Sequence, residues 1–505
     1  MKKYLIISTI LMAVSQLIMT SCSSTPAIPT TYQQETRTPK IFPDYTEVTV
    51  PCNIAPLNFS VQEGSDKVVA RFTTSIGEFT YGDGNKVIID DTDWHNMLDA
   101  EKGKSIKVDV FAEIGGSWKA FKSFNINIAE EPIDEYLSYR LIQPSYVAYE
   151  RLSIEQRNLT NFEVSDIYNN LSVSTEKDGQ CINCHSYQNY KTDRMQLHLR
   201  QAHGGTVIVD NGRIKKVNLK TEETISAGVY PAWHPTLNII AYSTNKTGQS
   251  FHTKDIAKIE VQDTRSDLIL YDVEKNTVTT IANDSNEMEI FPTWSPDGKT
   301  LYFCSAHFEY KNDSIAEETE MIQRYKECKY SLYKMAFNEQ TQKFGPRELI
   351  YDAAADTLSI TLPRLSPDGR YIYAALGEFG CFHIWHPDAD IVVIDTKSAD
   401  LRPKPVKEIN SNRAESYPTV SSNGHWLMCE SRRDDGNYTR VYISYIDKNG
   451  KTHKAFEIPQ KDPSFYTFFL KSFNRPEFMT EPVKTTPQQI ASTAKTEATQ
   501  AKYVK

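Results

Sequence analysis

Phe291-Pro292-Thr293-Trp294-Ser295-Pro296-Asp297-Gly298-Lys299 decides how this chain folds, because the stretch returns. Tyr230-Pro231-Ala232-Trp233-His234-Pro235, Leu362-Pro363-Arg364-Leu365-Ser366-Pro367-Asp368-Gly369-Arg370 and Tyr417-Pro418-Thr419-Val420-Ser421-Ser422-Asn423-Gly424-His425 repeat its outline. Each copy runs into an apolar stretch: Ile239-Ile240-Ala241-Tyr242, Leu301-Tyr302-Phe303-Cys304, Tyr371-Ile372-Tyr373-Ala374 or Trp426-Leu427-Met428-Cys429. The pattern encodes a hairpin: Pro sets the turn, Asp or Asn binds the backbone, Gly supplies positive φ, and the flanking strands pair. Hairpins recurring at such spacing build a radial, mainly β architecture.

The repeated Ser-Pro-Asp-Gly-Lys/Arg element resembles that of TolB-like β-propellers over about residues 230–460. The first copy departs from it with Pro-Thr-Leu-Asn, the last with Ser-Asn-Gly-His. The resemblance implies a propeller over 133–475. Strand-like runs at Tyr139–Asp166 and Gly204–Thr224 bring the expected number of blades to six. Before it, residues 41–132 alternate apolar and polar positions, as in Ser105-Ile106-Lys107-Val108-Asp109-Val110-Phe111, and predict a small β-sandwich-like domain. Residues 22–40 are rich in Ser, Thr and Pro and predict a flexible tether; 476–505 predict a disordered tail.

Met1-Lys2-Lys3 and the apolar run to Met19 have the form of a secretory signal over residues 1–21, too short for a stable membrane span. Met19-Thr20-Ser21-Cys22 resembles a lipobox, which implies lipidation of Cys22. Lipid at Cys22 anchors the chain in the cell envelope, with the outer membrane facing the periplasm as the expected site. The net charge of −9 and the lack of a Lys/Arg block argue against nucleic acid as a partner.

Cys181-Ile182-Asn183-Cys184-His185 is the segment that carries chemistry. It resembles the attachment motif of c-type cytochromes: two thiols bond the vinyl groups of one haem c, and the adjacent His185 is its proximal iron ligand. Export favours this reading, since the resemblance implies haem attachment outside the cytoplasm. Two alternatives stand beside it. Cys181, Cys184, His198 and His203 have the spacing of a Cys₂His₂ zinc site, and Cys181 and Cys184 could close a disulfide. The pairing of Cys52, Cys304, Cys328, Cys381 and Cys429 is open, with Cys304 and Cys328 one candidate pair.

For the distal haem ligand, Gln196–Gln201 predicts a helix stopped by Gly204-Gly205, within a haem-binding insertion at 178–205. Such a helix would put Met195 and His198 on one face, His198 being favoured and His203 and Met195 the alternatives. Trp233-His234 and Trp385-His386 are expected chiefly to pack between blades, and Asp388 with Asp390 is too little for calcium.

The expectation is thus an electron-transfer or redox-sensing lipoprotein with an exported redox or envelope partner. A non-redox binding scaffold is the alternative, and catalysis is not expected: no Gly-rich phosphate loop, nucleophile elbow, HExxH or copper-type His cluster occurs.

Overall fold

The computed structural model describes residues 26–143, 151–175 and 179–505. The signal segment and Cys22 lie outside the described residues. Among these residues, no helix is long and apolar enough to cross a membrane.

Six blades of four principal strands form a ring, the third and fourth joined by one parallel bridge between Ser266 and Met288, and blade numbers below follow the chain. Blade 2 is Cys181–Gln188, Lys191–Arg200, Gly205–Asp210 and Arg213–Asn218. Blade 3 is Val229–Trp233, Ile239–Phe251, Ile259–Asp272 and Thr277–Ala282. Blades 4, 5 and 6 begin with Glu287–Trp294, Ser359–Leu365 and Glu415–Val420. Blade 1 is composite: Tyr136–Ile142, Ser153–Asn158 and Val164–Asn169 take their fourth strand, Ser472–Met479, from the far end of the chain. The innermost strands touch in an unbroken circle. The molecule is a six-bladed β-propeller closed by its C-terminal strand.

The repeated turns act as the sequence predicts. In blade 4, Ser295 Oγ donates to Asp297 Oδ1 at 2.6 Å, and the Lys299 N–H donates to the same oxygen at 3.1 Å. Gly298 sits at φ 71°. Asn423 replaces the aspartate in blade 6 with the same contacts, at 2.7 and 3.1 Å. In blade 3 an imidazole does this work: His234 Nδ1 accepts from the Leu237 N–H at 3.0 Å.

Residues 41–132, with the strand Gln33–Gln34 before them, form two sheets, and the core they share takes in Trp94, Met97 and Leu98 of the helix Asp91–Ala100. Their apolar core is continuous with Leu137 and Tyr139 of blade 1 and Met428 and Ile443 of blade 6. Trp426 Nε1 donates to Pro132 O at 3.0 Å across this boundary.

Four expectations change. The tether expected over 22–40 is partly built into the fold: Gln33–Gln34 pairs in parallel with Lys119–Ala120, and the Glu35 N–H donates to Ala120 O at 2.8 Å. Residues 178–205 are not an insertion, since from Cys181 on they form the two inner strands of blade 2. The boundary at 475 cuts through the closing strand Ser472–Met479. The tail expected to be disordered is built into the fold. A helix at Pro487–Ala494, started by a capping box of Thr486 and Gln489, buries Ile490, Ala491 and Ala494. Thr499–Gln500 and Lys502–Tyr503 then add to the outer edges of blades 2 and 3. Polar composition hid one apolar helix face and two short edge pairings.

Candidate functional site at the tunnel wall

Every innermost strand carries the same irregularity. Cys184, Tyr230, Phe291, Leu362, Tyr417 and Arg475 have φ between 49° and 57°. The pairing with the next strand slips at each, as a bulge does. Proline follows in five of the six: Pro231, Pro292, Pro363, Pro418 and Pro476. These five pairs, with Arg364, line a small chamber in the tunnel. In blade 2 the proline position is occupied by His185. The segment Cys184-His185-Ser186-Tyr187 is therefore the blade 2 copy of Tyr230-Pro231-Ala232-Trp233.

His185 is 1% exposed, and neither ring nitrogen has a hydrogen-bond partner in the structure. The Arg475 backbone lies near it without completing such a bond. Desolvation, reinforced by the positive charges of Arg475, Arg140 and Arg364, holds its imidazole well below the usual histidine range, so it is neutral. Cys184 is buried, Cys181 is half-buried, and neither is in a disulfide. Two unpaired thiols beside a neutral imidazole with free nitrogens are the donor set that haem c requires, and the residues fit that group chemically.

The distal-ligand helix is not formed. Lys191–Arg200 is a strand paired between Cys181–Gln188 and Gly205–Asp210. Side chains alternate along it, so Met195 and His198 lie on opposite faces instead of one. Met195, with Leu197 and Leu199, packs into the core shared with Ile154 and Tyr168 of blade 1. His198 stands opposite Asn183, its Nδ1 3.1 Å from Thr206 Oγ1. Burial pushes its pKa down to about 3. His203 is half-buried on the short turn Gln201–His203 that follows. The period-two spacing of Met195, Leu197 and Leu199 was the legible strand signal. Among the described residues, no three His, Cys, Asp or Glu side chains gather to hold a metal ion, so the zinc set is not assembled.

The other paired residues have structural partners. His234 Nε2 lies 3.0 Å from Gly298 O, joining blade 3 to the turn of blade 4. Arg432 stacks 3.4 Å over the Trp385 ring, and His386 Nε2 lies 2.6 Å from buried Glu260. Asp388 accepts from the Glu378 N–H at 2.7 Å. Cys328 sits beside the Cys381 segment, its carbonyl accepting from the Gly380 N–H at 2.9 Å, and not against Cys304. Beyond the proline collar lies a larger recess lined in part by Tyr187, Tyr190, Trp233 and Trp294.

No family model matches the chain, and no curated protein matches it. Among solved structures it is similar to an oligogalacturonate lyase in complex with manganese, at 10% identity and TM-score 0.37 over 64% of this chain and 73% of that one. An oligogalacturonate lyase from Vibrio parahaemolyticus gives 12% identity and TM-score 0.34, covering 72% and 75%. A luciferin-regenerating enzyme gives 11% identity and TM-score 0.36, covering 65% and 88%. The closed ring of six blades, and not these likenesses, defines this chain as a β-propeller.

Proposed function

We propose that this chain is an exported, TolB-like propeller lipoprotein, anchored through Cys22 in the cell envelope. It binds one haem c and passes single electrons, or senses redox state, with an envelope partner. The observation that carries the reading is His185: a buried imidazole with two unpartnered nitrogens, next to two unpaired thiols, where the other blades place proline.

Cys181 and Cys184 would hold the group through two thioethers. His185 would offer a ring nitrogen to the iron, and the buried wall around it would keep water away. When bound, the haem supplies one-electron chemistry. His198 remains the favoured distal candidate, although its ring now faces Thr206.

The test is protein made in a host with cytochrome c maturation. An α band on reduction is expected, together with haem mass on the peptide containing Cys181 and Cys184. Cys181→Ala combined with Cys184→Ala should abolish both. Intact, folded protein without bound porphyrin overturns the reading and leaves the non-redox scaffold.

A further inference from the structure

His185 is not the only buried group here without partners. Arg140 donates through Nη1 to Ile182 O at 3.0 Å and to Asn183 Oδ1 at 2.7 Å, but its Nε has no acceptor. Arg475 donates through Nε to Glu477 Oε1 at 3.1 Å and through Nη2 to Pro231 O at 3.2 Å, while its buried Nη1 has none. Arg364 pairs with the same Glu477 oxygen. Glu430 touches the cluster through the Arg475 backbone and Asn474, with its Oε2 unpartnered. Burial pushes its pKa up to about 8, toward the neutral form.

Arg140 thus grips the residues just before Cys184-His185, while Arg364 and Arg475 share Glu477 and line the same tunnel chamber. Buried cations without counter-charge are costly, and guanidinium groups recognise carboxylates. Buried donors left without acceptors call for a partner, and a ligand can be that partner.

We propose that Arg140, Arg364 and Arg475 form a carboxylate-binding wall beside His185 that takes the two propionates of the haem held by Cys181 and Cys184. The inference rests on the function proposed above and deepens it. The arginines are positioning residues, and their positive field favours the reduced, less positive iron.

The test compares wild type with Arg364→Gln, Arg475→Gln, Arg475→Lys and Arg140→Gln, all made with the maturation system. Haem content per chain should persist, because the thioethers hold the group. The midpoint potential should fall in each Gln variant and return toward wild type in Arg475→Lys. The propionate bending modes in resonance Raman spectra should shift in the Gln variants. Arg364 is partly exposed, so Arg364→Gln provides a reading even where the more enclosed variants fail to fold. Haem-loaded variants with unchanged potential and unchanged propionate modes overturn this inference alone. A colourless wild type overturns it together with the function proposed above.

Discussion

At the scale of single residues, the repeat turns show how one side chain can hold two strands in register. The Ser295 hydroxyl and the Lys299 N–H hold Asp297 below the usual carboxylate range. A depressed folded pKa adds stability that is present above the unfolded value of 3.8 and is lost as pH falls through the folded value. Asp297→Asn should cost little, as Asn423 fills the same place in blade 6, whereas Asp297→Ala should cost about 1 kcal/mol. Urea melts should show the margin of wild type over Asp297→Asn present at pH 7 and shrinking below pH 3.8. The following glycines make a second comparison. Gly298 and Gly369 share φ near 70°, so alanine strains both by roughly 1 kcal/mol. A Cβ at Gly298 would also meet the His234 ring at 2.4 Å, while at Gly369 the nearest atom is 3.5 Å away. Thermal melts should rank Gly298→Ala well below Gly369→Ala.

At the scale of elements, the legible blades were those whose turn chemistry is written out. Ser-Pro-Asp-Gly marks blades 4 and 5 directly, and its variants mark 3 and 6. Blade 2 was legible only from Gly204 on; its two inner strands read as an insertion because His185 replaces the proline and because Cys181-x-x-Cys184-His185 draws attention as a motif apart from the repeat. Blade 1 was missed at its inner strand because Arg475-Pro476-Glu477-Phe478 matches Tyr-Pro-x-Trp in only its proline and a final aromatic, far from the rest of the sheet in sequence. The sequence singled out Cys181, Cys184 and His185 as candidates. It could not mark Arg140, Arg364 and Arg475, which meet them only through ring closure. The C-terminal elements test this account. Thr486→Ala removes one arm of the capping box and should cost about 1 kcal/mol in chemical melts. Ending the chain before Ser472 removes the closing strand and should leave protein that does not melt cooperatively. Cooperative melting of that truncation, close to wild type, would contradict closure through Ser472–Met479.

At the scale of the whole molecule, closure and the proposed cofactor attachment would compete for the same wall. His185 is 1% exposed, and what surrounds it comes from three distant parts of the chain: Arg140 in blade 1, Arg364 in blade 5 and Arg475 in the last strand. The closing strand is also the last of the blades to be synthesised. Before it docks, Cys181–His185 lies on an open inner strand; afterwards Arg475 and its neighbours cover the imidazole. Under the proposed function, attachment therefore precedes closure. Folded protein made without the maturation machinery should gain no covalent haem when mixed with reduced haem, because its thiols and His185 are walled in. The same protein should gain it when opened in urea and then refolded. The measurement is the mass of the peptide containing Cys181 and Cys184 after each treatment. Equal loading of the folded and the opened protein would mean that the wall parts readily, and the order of events argued from burial would then be wrong.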